Sequence, residues 1–362
     1  MTSERQSAFA PGRVELLGNH TDYNEGRVLA AALDLGVTIE GERLDDSIIE
    51  VTSRDFGRTA RVGIDRISAD EAEPWASYLI GVASVFSEAG HPVGGFRASF
   101  SSSIPVGAGL SSSAALEVAT GMLLQKLFGF TLAPLDLAKL CRRAENRFVG
   151  VNCGLLDQAT SVFGRRDHAV LLDCREETVE NIPMPRDHQL LIVNTNVEHA
   201  LTGGEYNERR ESCFKAARRL GVAALRDVSP PQLEAHADQL EQPLLKRARH
   251  VVGECERVEL GARALSAGDL ARFGELMFQS HASSVANFEN STPELDALVE
   301  IARQTPGVVG SRLTGGGFGG ATVSLVASEA LDDAREAMLA AYRERVGHEA
   351  SALACRVSDG AS

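Results

Sequence analysis

Glycines, serines and acidic residues fall in a few segments whose spacing suits the handling of an anion beside a polyhydroxylated molecule. The first is PVGAGLSSSAALEVA, residues 105–119, with glycines at 107 and 109 and serines at 111–113. Glycine lets backbone amides approach a ligand closely. A helix starting at the serines adds unsatisfied N–H groups and the positive end of its dipole, so the turn suits phosphate. No Gly-Lys-Ser/Thr exists in the chain, and a phosphate here must take its cationic help from magnesium or an arginine. A glycine turn with one serine cap is the plainer account, but three serines exceed what a cap needs.

The second segment, GRVELLGNHTDYN at 12–24, packs Arg13, Asn19, His20 and Asp22 around a tight turn. Each hydroxyl of a sugar both donates and accepts, so a dense mixture of donors and acceptors fits such a ligand. A solvated loop fits equally well on these residues alone. The third is CRRAENRFVGVNCGLLDQ at 141–158. Glu145 falls in line with Leu137, Cys141 and Phe148 on the apolar face of a helix, and Asp157 follows in an apolar loop. A carboxylate on a buried stripe is costly unless it is paired or holds a metal. One metal ligand and one group at an acceptor hydroxyl would account for the two, as would salt bridges to arginine. In the fourth, SRLTGGGFGGATVSLV at 311–326, Gly315, Gly317 and Gly320 satisfy a GxGxxG spacing. A dinucleotide fingerprint needs a helix after it, whereas ATVSLV reads as a strand. This segment is a glycine hairpin whose backbone comes close to another segment or a ligand.

The elements that hold these residues follow from periodicity. FAPGRVELLG reads as a short strand and RVLAAALDLGVTIEGERL as a second. Phe96, Ala98, Phe100, Ser102 and Ile104 alternate as a half-buried strand does. Helices are expected over Ala114–Phe128, closed by Gly129, and over Pro134–Val149, closed by Gly150. After QLLIVN and the turn NTNVEHALTGG comes a basic helix from about Glu205 to Leu220. The chain then closes with strand, glycine loop, strand, helix, strand. That order predicts an α+β architecture with a helix-backed antiparallel sheet and a division near residue 185.

The chain has 362 residues, enough for two domains of ordinary core, and a formal net charge of −14. Such an acid excess opposes nucleic-acid or anionic-membrane binding. Six scattered cysteines without a CxxC read as reduced core residues. The start, MTSERQSAFAPGR, has no apolar stretch of signal length, and no run approaches the roughly 18 residues of a membrane span. A cytoplasmic monomer is expected. Trp75 and Tyr78 are possible nucleoside neighbours, with a buried aromatic pair in a helix as the plainer reading.

Together the four segments resemble the GHMP small-molecule kinases and, within them, the galactokinase branch. PVGAGLSSSAALEVA is similar to the family's second motif, TGGGFGGATVSLV to its third, and APGRVELLGNHTDYN to the branch's amino-terminal signature. The resemblance implies a two-domain GHMP kinase fold: residues 1–185 as an amino-terminal α/β domain with a left-handed crossover, and 186–362 as a ferredoxin-like domain. It implies ATP as co-substrate, its phosphates wrapped by Gly107, Ala108, Gly109, Leu110, Ser111, Ser112 and Ser113. It implies Mg2+ on Ser113 and Glu145, and a sugar held by Asn19, His20, Thr21, Asp22, Asp157 and Tyr206. Asp157 would face the anomeric hydroxyl, and Arg13 would pair with it and steady charge in the transition state.

One departure stands out. The galactokinase branch usually carries Glu where this chain has Asn19, and that carboxylate receives the sugar's 6-hydroxyl. An amide still accepts, at a loss of roughly tenfold on galactose, since charge-assisted bonds contribute about 1.5–3 kcal/mol against about 1 for neutral ones. The expected reaction is phosphorylation of galactose at the anomeric position. Galacturonate and N-acetylgalactosamine are the alternative acceptors, and a sugar sensor without turnover is the non-enzymatic alternative.

Overall fold

The computed structural model describes residues 4–66, 73–105, 107–150, 153–197 and 204–362. Val106, Val151, Asn152 and most of the expected turn NTNVEHALTGG (198–203) lie outside them. Among the described residues two sheets form. The first holds β1 (Gln6–Leu17), β2 (Arg27–Arg43), β3 (Ile48–Ser53), β4 (Arg58–Gly63), β5 (Phe96–Ser102), β6 (His168–Asp173) and β7 (Thr178–Pro183). The second holds β8 (His188–Asn194), β9 (Val308–Leu313), β10 (Ala321–Ala327) and β11 (Ser351–Cys355).

The first strand is longer than FAPGRVELLG suggests, because β1 pairs antiparallel with β2 from Gln6–Gly41 to Leu17–Leu29. On the other edge of β2, its start pairs with β6 and its end with β5. Val28–Leu33 is fully buried as a continuous run, because both faces of β2 are covered. Helices α1 (Ser77–Glu88), α2 (Ser112–Phe128), α3 (Pro134–Ala144) and α4 (Leu156–Phe163) pack together, with α2 and α4 laid on β1 and β2. The helix expected over 134–149 is regular only to Ala144. Residues Glu145–Val149 form one wider π turn, closed by Gly150 at φ 80°.

Between β8 and β9 the chain runs through α5 (Gly204–Arg219), α6 (Pro230–Ala235), α7 (Leu244–Ala267), α8 (Leu270–Ser283) and α9 (Pro293–Gln304). After β10 comes α10 (Leu331–Val346). The second sheet runs β11-β8-β10-β9, every pair antiparallel. That is the 4-1-3-2 order of a ferredoxin-like sheet, with extra helices in its first crossover. The expected division at residue 185 falls between β7 and β8, yet the tail returns across it: Phe9 and Ser362 exchange backbone hydrogen bonds of 2.9 Å. Long α7 packs on both β1 and β2. The two halves thus share one core around the residues that follow. No helix among the described residues is long and apolar enough to cross a membrane.

Candidate active site

Alternation along β1 puts Arg13 and Glu15 on one face of the strand, and both line a cavity of about 230 Å³. Asp157, in the first turn of α4, lines it too. Arg13 donates from Nε and Nη2 to the two oxygens of Asp157, both at 2.7 Å. Its Nη1 donates to the carbonyl of Gly109 at 3.1 Å, so one guanidinium joins the cavity to the glycine–serine loop. The Ser111 hydroxyl completes the junction by donating to Asp157 Oδ2 at 2.6 Å. Ser111 has φ 55°, a left-handed conformation that costs a non-glycine residue about 1 kcal/mol. In that conformation its hydroxyl faces Asp157.

The turn after β1 carries the next group. Its backbone is held from α7: Gly18 and Asn19 N–H both donate to Glu254 Oε2 at 3.0 Å. Burial alone would push the Glu254 carboxyl up, but Arg257 and His250 hold it down at about 2. It is a fixed negative charge inside the protein. Asn19, His20 and Asp22 line the cavity, as does Tyr206 from the first turn of α5. Burial lowers His20 to about 4, leaving a neutral ring that donates from Nε2 to Gly316 O at 2.9 Å and accepts from the Tyr23 hydroxyl at 2.9 Å. Both ring nitrogens are therefore engaged, and His20 serves the cavity as a wall packed against Tyr206, 5.2 Å between centroids with the rings tilted at 43°. Burial also raises Asp22, to about 6, helped by the nearby carboxylates of Glu15 and Asp157. Thr21, expected at the sugar, is fully buried instead. Its hydroxyl lies 2.7 Å from the carbonyls of Gly18 and Arg27 and closes the turn.

Beside this cavity runs a groove of about 620 Å³ along Gly107, Gly109, Asn194 and the hairpin Thr314–Ala321. Gly107 and Gly109 have φ of 74° and 70°, and a Cβ on either would meet nothing within 4 Å. Glycine is favoured there by the left-handed backbone, and the open space in front of it faces the groove. Ala108 and Leu110 turn their side chains into the core and offer only backbone. In the hairpin, a Cβ on Gly317 would stand 2.2 Å from the Asn290 carbonyl, so only glycine fits. On the other side of the loop, an apolar groove of about 490 Å³ is lined by Trp75, Tyr78, Phe100, Ser112, Ser113 and Leu116. Trp75 and Tyr78 are thus half-exposed beside the serines, not a buried pair, and Trp75 precedes α1 instead of lying in it.

Glu145 heads the π turn and is buried, as its alignment with Cys141 and Leu137 requires. No lysine or arginine pairs with it among the described residues. It accepts instead from Gln158 Nε2 at 2.7 Å and Cys153 Sγ at 3.2 Å, with Ser113 as a further hydrogen-bond donor. Gln158 Nε2 also reaches Glu117 Oε2 at 3.0 Å. Burial pushes both carboxyls up, and Glu117 Oε1 and Gln158 Oε1 are enclosed without a partner among the described residues. A hydroxyl and a carboxylate beside a phosphate loop are a donor set that fits magnesium, which takes few protein ligands and fills the remainder with water and phosphate oxygens. The Glu117 oxygen left without a donor close by is the kind of unanswered acceptor that a cation relieves.

Gly315 and Gly316 line the cavity as the expected glycine hairpin, whereas Glu15, Cys153 and Gly154 lie in the quoted segments without having been singled out. For Glu15 a signal existed, as a carboxylate two positions from Arg13 in a strand otherwise apolar (Val14, Leu16, Leu17). The others are backbone or neighbours brought in by folding.

The chain matches the family model of the GHMP kinases N terminal domain over residues 77–165 and that of the GHMP kinases C terminal over 262–344. Residues 2–43 match the galactokinase galactose-binding signature. It is 44% identical to a galactokinase of Roseiflexus sp. (strain RS-1) over 97% of this chain and 91% of that one. Identity to a galactokinase of Glaesserella parasuis serovar 5 (strain SH0165) is 40%, covering 99% and 94%. The crystal structure of Lactococcus lactis galactokinase complexed with galactose superposes with a TM-score of 0.94 at 36% identity, over 99% of this chain and 95% of that one.

Proposed function

This chain belongs to the GHMP kinase family and, within it, to the galactokinases, and from its site we infer that it transfers the γ-phosphoryl group of ATP to the anomeric hydroxyl of galactose. The products are galactose 1-phosphate and ADP. The observation that supports this reading most is the junction of Arg13, Asp157, Ser111 and Gly109, where the wall of a sugar-sized cavity meets a phosphate loop.

In this reading galactose sits against Asn19, His20, Asp22 and Tyr206 with its anomeric hydroxyl at Asp157. ATP lies along Gly107–Ser113, with loop amides and the start of α2 facing its phosphates. The groove at Trp75 and Tyr78 takes the adenine. Ser113 and Glu145 would hold magnesium, which when bound neutralises charge on the phosphate oxygens. Phosphoryl transfer runs through a loose transition state, so positioning and charge count for more than a strong base. Asp157 aligns the hydroxyl and accepts its proton as the O–P bond forms. Arg13 balances the carboxylate and stays within reach of the charge that builds between sugar and phosphate.

Neither alternative acceptor is favoured. A uronate would bring a fourth carboxyl group into a cavity that already holds Glu15, Asp22 and Asp157. The test is a panel of galactose, galacturonate and N-acetylgalactosamine with ATP, reading ADP release and the 31P signal of the sugar phosphate. Galactose is expected to lead with a 1-phosphate product. Another sugar in the lead contradicts the acceptor assignment, and sugar binding without ADP release contradicts the kinase reading.

A further inference from the structure

Glu15 lies in the wall of the same cavity and is only 6% exposed. Its Oε1 accepts from Asn19 Nδ2 at 3.3 Å and from Arg312 Nη1 at 2.8 Å. Its Oε2 accepts nothing from the described residues. Arg312 is fully buried, and its Nε and Nη2 have no partner among the described residues, so Glu15 is what answers its charge. A buried ion pair is a poor source of stability, since apolar residues of the same size often do as well. Its presence in a ligand cavity points to recognition.

Asn19 is already spent. Its Nδ2 donates to Gly315 O at 2.8 Å as well as to Glu15, and its Oδ1 accepts from Asn290 Nδ2 at 3.0 Å. With both amide hydrogens used and 1% exposure, Asn19 acts as a strut between β1 and the glycine hairpin. The charged acceptor beside it is Glu15, with one oxygen anchored and the other open.

We propose that Glu15 is a specificity-determining residue of this enzyme: its free oxygen receives the sugar's 6-hydroxyl, the contact that the family resemblance assigned to position 19. The assignment rests on galactose occupying the Arg13–Asp157 cavity. It explains how a chain with an amide at position 19 keeps charge-assisted recognition of that hydroxyl. It also sets a penalty on sugars that lack the hydroxyl, because Oε2 is then left desolvated and unpaired.

The experiment compares kcat/KM for galactose, 6-deoxygalactose and 2-deoxygalactose in the wild type and in Glu15→Gln. The wild type is expected to favour galactose over 6-deoxygalactose by tenfold or more. In Glu15→Gln that ratio should shrink about tenfold, chiefly through KM, while the galactose to 2-deoxygalactose ratio stays within about twofold. An equal loss on all three sugars overturns the proposal and leaves Glu15 as packing for Arg312. Should Glu15→Gln not fold, the wild type still decides, because equal use of galactose and 6-deoxygalactose overturns the proposal. Asn19→Glu adds an independent reading: a second carboxylate 3.3 Å from Glu15 should impair galactose use, and improved use overturns the proposal. A wild type inactive on all three sugars contradicts the galactose reading itself, and the proposal falls with it.

Discussion

Arg13 and Asp157, 144 positions apart in the chain, meet through two parallel hydrogen bonds of 2.7 Å. One comes from the middle of the first strand and the other from the first turn of a helix laid across it. Their pairing lies where the cavity at the end of β1 meets the glycine–serine loop. A fork of this kind is rigid in a way that a lysine–carboxylate contact is not.

The two residues should therefore act as a unit. Asp157→Asn is expected to lower kcat by about 10²–10⁴-fold with galactose KM changed only a few-fold. Arg13→Lys should lower kcat by at least about tenfold, and the double variant should be little worse than Asp157→Asn alone. Steady-state kinetics on the three variants check this. Fully additive losses would mean that the residues serve separate steps.

Asp22 should give the enzyme a pH dependence. Its carboxyl titrates at about 6, so kcat/KM for galactose should fall as pH drops through that value and the acceptor is protonated. For stability the sign is opposite. The folded pKa lies above the unfolded value of 3.8, so ionising Asp22 costs folding free energy as pH rises from about 4 to 6. Asp22→Asn should thus gain on the order of 1–3 kcal/mol at pH 7, with no gain below pH 4, while losing galactose affinity. Thermal melts and sugar titrations across pH 4–8 measure both.

Glu254 behaves the other way. Its carboxyl is held at about 2, below the usual 4.5, so it contributes stability above pH 4.5 that is lost as pH falls toward 2. Glu254→Gln leaves Arg257 without its partner and should cost about 3–5 kcal/mol at neutral pH. Since Glu254 also holds the Gly18 and Asn19 amides, galactose KM should rise with it. A variant with wild-type melting temperature and KM would show that the turn needs no such anchor.

The adenine assignment is tested at Trp75. Removing the ring in Trp75→Ala should raise ATP KM about tenfold and leave galactose KM within about twofold. A change confined to galactose would move the nucleotide elsewhere.

Much of this was legible before any fold was known, because the chemistry is concentrated where the chain turns. Glycines 107 and 109, the serines after them, and the polar turn at 19–22 are local features whose backbone demands show in the residues themselves. Glu145 was legible as a carboxylate out of place on an apolar stripe. What could not be read depends on distance. Nothing near Thr21 indicates that the Gly18 and Arg27 carbonyls claim its hydroxyl, and nothing near Asn19 indicates that Asn290 and Gly315 engage its amide. Glu15 looks like a stray charge in a strand until Arg312, from the far end of the chain, comes to face it. Trp75 reads as core, because only the folded molecule shows the groove left open beside Ser112 and Ser113.

The most direct measurement is a crystal structure of the enzyme with galactose and a non-hydrolysable ATP analogue bound together. The account predicts the anomeric oxygen within hydrogen-bonding distance of the Asp157 carboxylate, with the terminal phosphate between it and the Gly107–Ser113 loop. A sugar bound with another hydroxyl at Asp157, or a triphosphate lying away from that loop, would contradict it.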